Sequence, residues 1–177
     1  MKTVDIISGI KRIMRIFLFL TFLIVGSTSF ATAESFFTSD AYIKGKFAFD
    51  AGKYKTAVKL WMGSAKKGHP EAQGFIGGMY HAGLGVEKNY IKAMEWYLKA
   101  AKKGVAQAQL GIGNLYGDGL GVKKDYIKAC MWFAISAEAG SERAEYNLKK
   151  VAARMSAVDA VRAKKMAVDW IKAQIKR

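Results

Sequence analysis

From Asp40 onward, apolar and polar positions follow helical spacing, and the pattern recurs at a fixed interval. Between 90 and 103, plotted at about 100° per residue, Ala93, Trp96, Tyr97, Ala100 and Ala101 share one arc. Lys92, Glu95, Lys99, Lys102 and Lys103 share the opposite arc. This predicts a helix from about 90 to 103, followed by a partner from about 106 to 116. When 54–89 is set above 90–125, an offset of 36 residues, 16 of the 36 columns are identical, and a third copy begins at Tyr126. Tyr54, Tyr90 and Tyr126 fall in register, as do Ala57, Ala93 and Ala129, and Gly68, Gly104 and Gly140. A period of this length predicts an α-solenoid, in which each unit buries its apolar face against its neighbours.

The punctuation between helices agrees with this reading. Gly68, Gly104 and Gly140 each follow a first helix, where a left-handed residue closes it. Pro70 stands in the first turn of a second helix with Glu71 beside it. Gly83-Leu84-Gly85-Val86 returns as Gly119-Leu120-Gly121-Val122, a turn at the repeat period rather than a phosphate cradle, since no strand precedes it. The segment 40–52 reads as half a unit that caps one end through Tyr42, Gly45, Ala48 and Phe49. After Gly140 the third copy loses the glycine-rich exit. Ser156-Ala157-Val158-Asp159 then opens a terminal helix whose apolar side is read as Val158, Val161, Met166, Ala167, Trp170 and Ile171. The expected organisation is a cleavable leader at 1–33 and an all-α domain at 34–177. Its repeats are placed near 54–89, 90–125 and 126–155, with a capping helix at 156–177.

The leader is expected because Lys11, Arg12 and Arg15 precede an apolar run from Ile16 to Gly26, followed by Ala31-Thr32-Ala33. The run is shorter than the roughly 20 residues a membrane-spanning helix needs. Cleavage is expected after Ala33, with translation starting at Met1 or Met14, and the product is expected in a bacterial periplasm or outside the cell. The full chain carries a net charge of +15, and loss of the leader leaves +12. Such a charge draws a protein towards anionic lipid, cell-wall polymer or an acidic protein; nucleic acid is not an expected partner outside the cytoplasm. The single Cys130 shares its repeat position with Val58 and Met94 and reads as a small apolar core residue.

These motifs resemble the Sel-1-like repeat family, a relative of the tetratricopeptide repeats. The resemblance rests on Gly77-x2-Tyr80-x2-Gly83-x-Gly85-Val86, then Tyr90-x2-Ala93-x2-Trp96-Tyr97-x2-Ala100-Ala101-x2-Gly104, then Ala108-Gln109-x-Gly111. It continues through Gly113-x2-Tyr116-x2-Gly119-x-Gly121-Val122 and Tyr126-x2-Ala129-x2-Trp132-Phe133. It implies a right-handed superhelix of antiparallel helix pairs used as a protein-interaction scaffold, often in bacterial envelopes or host contacts. Some secreted members close each repeat with a disulfide and have been linked to penicillin binding; this chain lacks those cysteines, so that link is not carried over.

No catalytic constellation emerges. His69 and His81 are the only histidines, neither has a second ligand at metal spacing, and each reads as a residue at a helix end. Asp118, Asp125 and Glu87 read as turn and N-cap residues. The expectation is a monomeric, non-enzymatic scaffold without cofactor or metal, binding another protein through the solvent arc of its first helices, by analogy the concave side. One column of that arc holds Lys59, Glu95 and Met131, and the next turn holds Gly63, Lys99 and Ile135. Columns that change between copies are not needed for stacking and are free for recognition. Two structural readings stand beside this: Glu95 and Lys99 supporting their own helix at i,i+4, and Met131 and Ile135 lying beneath the terminal helix. The alternative function is a basic binder of anionic cell-wall polymer or lipid, governed by charge rather than shape.

Overall fold

A computed structural model describes residues 40–176. The expected leader, its cleavage site and the lead-in with Phe36 and Phe37 lie outside the described residues. Those described form eight helices and no strand. Helix α1 occupies 40–50. It is followed by α2 (Tyr54–Lys66), α3 (Pro70–Ala82), α4 (Tyr90–Ala101), α5 (Ala106–Asp118), α6 (Tyr126–Glu138), α7 (Glu142–Ala152) and α8 (Ala157–Ile175). Helices α2/α3, α4/α5 and α6/α7 are the three pairs that the period predicts.

Local chemistry sets the boundaries. Asn89 and Asp125 cap α4 and α6, their side-chain oxygens accepting from the N–H groups of Lys92 and Lys128, each at 2.9 Å. His69 caps α3 through Nδ1, which accepts from Ala72 N. At Ser156 the hydroxyl accepts from Asp159 N at 3.1 Å and donates to the Asp159 carboxylate at 2.8 Å. The inter-pair turns require glycine for two reasons. Gly85 has φ +71°, and a Cβ there would stand 2.5 Å from the backbone of Tyr54; at Gly121, φ +68°, it would stand 2.7 Å from the Cβ of Tyr90 and 3.1 Å from its backbone carbon.

Packing follows one device repeated three times. Trp61, Tyr97 and Phe133 occupy equivalent positions, and each ring lies on a glycine of the preceding second-type helix: Gly45, Gly77 and Gly113. The tightest helix contacts are accordingly α3 with α4 and α5 with α6. Buried Gln73 and Gln109 tie the first two pairs internally by donating to the Ala65 and Ala101 carbonyls at 3.0 and 3.3 Å. Cys130 is 1% exposed, and burial pushes its thiol up.

In α7 the residue in register with Gly77 and Gly113 is Lys149, exposed and paired with Glu145 at 2.8 Å. A lysine offers no seat for a flat ring, so the series stops. Helix α8 packs on α6 instead. Ala163 and Ala167 are its buried residues, and Met166, Trp170 and Ile171 sit half-buried beside them. The expected apolar side of α8 is corrected at two positions: Val158 and Val161 are 76% and 67% exposed. Val158 lies across the helix from Ala167 and Val161 across from Ala163, the two residues that set the buried arc.

Candidate interaction surface

The solvent arc of the first helices is built by α2, α4 and α6, and the structure divides the predicted column. Lys59, Glu95 and Lys99 are exposed. Met131 and Ile135 are 8% and 3% exposed and belong to the cluster that includes Ala167 of α8. Among the described residues, the same face is therefore open on the first two pairs and occupied by a helix on the third.

Trp96 was expected in the core and is only partly buried. It packs against the cluster around Trp61 and Met79 on one side, while the Lys99 ammonium lies 4.2 Å from its ring centroid on the other. Such a contact contributes about 0.5–1 kcal/mol at an exposed site. No ion pair joins Lys99 to Glu95 among the described residues, so Lys99 is held by the ring rather than by the carboxylate. Trp132, the equivalent tryptophan one repeat later, is 6% exposed and meets Trp170 of α8 edge to face, with centroids 5.1 Å apart. Helical arc alone did not separate these two tryptophans, because their environments differ only through α8. The readable signal was the change from Lys99 to Ile135.

The remaining polar candidates are dispersed. His81, expected at an exposed helix end, is half-buried. Its Nδ1 is 3.5 Å from the Tyr97 hydroxyl, and its ring is edge-on to Tyr90 with centroids 5.5 Å apart. Burial lowers its pKa, partly opposed by Asp118 and reinforced by Lys88. Burial also pushes Tyr97 up to about 12. Among the described residues, no group of three His, Cys, Asp or Glu gathers as metal ligands, and no helix is long and apolar enough to cross a membrane.

Comparison with known proteins places this geometry. The family model for the Sel1 repeat matches residues 70–105 and 105–141. Each matched unit spans one second-type helix and the next first helix, the most intimately packed pairs in the fold. A protective antigen present in uropathogenic Escherichia coli strains, displaying an SLR fold, is similar at 28% identity and a TM-score of 0.74; the match covers 79% of this chain and 31% of the antigen. A Sel1 repeat protein from Oxalobacter formigenes is similar at 32% identity and a TM-score of 0.61, over 73% of this chain and 55% of that one. The chain thus spans about a third of the first protein and about half of the second. No curated protein matches the chain.

Proposed function

Because the chain belongs to the Sel-1-like repeat family, whose repeats mediate protein–protein interaction, we propose that it is an exported, non-enzymatic adaptor. Its partner is another envelope or secreted protein, bound along the exposed face of α2 and α4 through Lys59, Glu95 and Lys99, with Trp96 as the apolar anchor. The observation that carries this reading is the use of the equivalent face in α6. There Trp132, Met131 and Ile135 already hold a helix, α8, through Ala167 and Trp170. The α4 face has the same backbone geometry and the same tryptophan, and among the described residues no helix covers it. A half-exposed tryptophan beside two charges is the composition of an interface hot spot with a steering rim.

Export is supported by the basic residues before Ile16–Gly26 and by Ala31-Thr32-Ala33. The test of the reading is affinity recovery from envelope extract at low and high salt, comparing the native chain with Glu95→Lys and Lys99→Glu. A protein retained through high salt by the native chain and lost by the variants supports the adaptor. Unchanged recovery across the variants contradicts it. The net charge of +12 that remains of +15 after loss of the leader favours a second reading, adhesion to anionic polymer or lipid; recovery of such material alone, released as salt rises, would support that instead.

A further inference from the structure

The junction of the first and second pairs fills a space that the junction of the second and third leaves empty. At the first junction, the Tyr97 hydroxyl of α4 meets His81 of α3, and the imidazole also lies against Tyr90. One repeat later these three positions hold Phe133, Gly117 and Tyr126. The hydroxyl and the imidazole are both gone, and a cavity of about 350 Å³ bounded by α5, α6 and α7 lies there, lined by Gly117, Tyr126 and Phe133. That volume lies within the roughly 300–1,000 Å³ of small-molecule sites.

The lining has changed along with the space. Asn114 and Asn147 stand where the preceding repeat has Gly78 and Gly111, and they meet across the cavity, Asn147 Nδ2 donating to Asn114 Oδ1 at 3.1 Å. Lys150 and Arg154 supply two cations from α7 and its C-terminal turn. Neither is ion-paired with a carboxylate among the described residues. Arg154 also hydrogen-bonds the Tyr126 phenol, and that bond together with the charge of Lys124 lowers its pKa. The one lining carboxylate, Asp118, is exposed on α5, so an anion is drawn to the α7 side. An aromatic wall, two facing amides and two cations on one side describe a receptor for a flat, hydrogen-bonding anion.

We infer that this cavity binds a small planar carboxylate, whose flat part takes the place that His81 fills in the preceding repeat and whose charge faces Lys150 and Arg154. The site shares no residue with the α2/α4 face and stands independently of the adaptor reading.

The probe is benzoate, titrated into the purified chain and followed by NMR shifts of the Tyr126 and Gly117 signals, with neutral benzamide as control. Saturable benzoate binding at least about tenfold tighter than benzamide is expected, weakened about tenfold or more by Arg154→Gln. The double variant Gly117→His/Phe133→Tyr rebuilds the filling seen between the first and second pairs and should abolish binding. A side chain fits at 117, since the nearest contact of a Cβ there is Ala129 at 3.7 Å. Acetyl-phenylalanine distinguishes the source: tighter binding than benzoate assigns the carboxylate to a peptide terminus, weaker binding to a free small acid. The inference is overturned if benzoate does not saturate at millimolar concentration, if benzamide binds equally, or if Arg154→Gln leaves affinity unchanged. Undiminished binding to a folded double variant would also overturn it.

Discussion

Tyr97 lies so close to Gly77 that a Cβ there would stand 2.5 Å from the ring carbon Cδ1, and on its other side Gly111 stands equally near, at 2.6 Å. The ring is clamped between two helices, and the absence of two methyl groups sets the spacing of the stack. Gly77→Ala should therefore destabilise the chain by about 1–3 kcal/mol through overpacking, despite the helix propensity it gains. Gly63→Ala, at an exposed helical site with nothing within 4 Å of its Cβ, should instead stabilise by about 0.5–1 kcal/mol. Urea midpoints of the two variants should move in opposite directions.

Trp170 is the largest side chain by which α8 holds to α6. Trp170→Ala should cost about 1–3 kcal/mol, less than a fully buried tryptophan because the residue is only half-buried. Hydrogen exchange is the sharper check, with protection falling over 157–175 and around Met131 and Ile135 while α2 to α5 hold theirs.

His81 is held neutral by burial, so its folded pKa lies below the ordinary 6.5. Its stabilising contribution is fully present above that ordinary value and is lost as pH falls through the folded one, because the unfolded chain takes up the proton first. Denaturation midpoints should drop on acidification from neutral pH, and His81→Gln should flatten that slope. Tyr97 has the reverse sign: its phenol ionises at 10 when unfolded but at about 12 when folded, so stability should fall as pH rises through that window. Tyr97→Phe should reduce the alkaline loss, leaving the part that Tyr42, whose pKa burial also raises, contributes.

Ala93→Arg and Lys99→Glu separate packing from surface. Ala93 is 0% exposed, and a buried unpaired charge should prevent cooperative folding. Lys99→Glu loses only its contact with Trp96, and its thermal midpoint should stay within a few degrees of the native value. Circular dichroism melts distinguish the two.

The repeat spacing made the helix pairs, their turns and the buried alanine and aromatic columns legible, because each is enforced at every copy by the same close contact. The seat of α8 was legible only as one of two alternatives, Met131 and Ile135 beneath the terminal helix, and that is where the structure puts them. A terminal helix outside the period can settle on either neighbour, and Val158 and Val161 made its outer arc look as apolar as its inner one. The decisive residue was Lys149: read in register with Gly77 and Gly113, it denies a ring seat on α7 and leaves α6 as the surface to cover. Trp96 was misread for a related reason, since its burial depends on whether a helix lies over its face. The cavity at Gly117 is visible only by comparing copies in three dimensions, where loss of a hydroxyl and of an imidazole coincide at one place.

The adaptor reading turns on whether a partner touches the α4 face. The most direct measurement is site-specific photo-crosslinking in the producing cells, with the crosslinker at Glu95 and, separately, at Tyr146, which is 67% exposed on α7. The account predicts one discrete crosslinked protein from position 95 and none from 146. The same product from both positions, or a product from 146 alone, would contradict it.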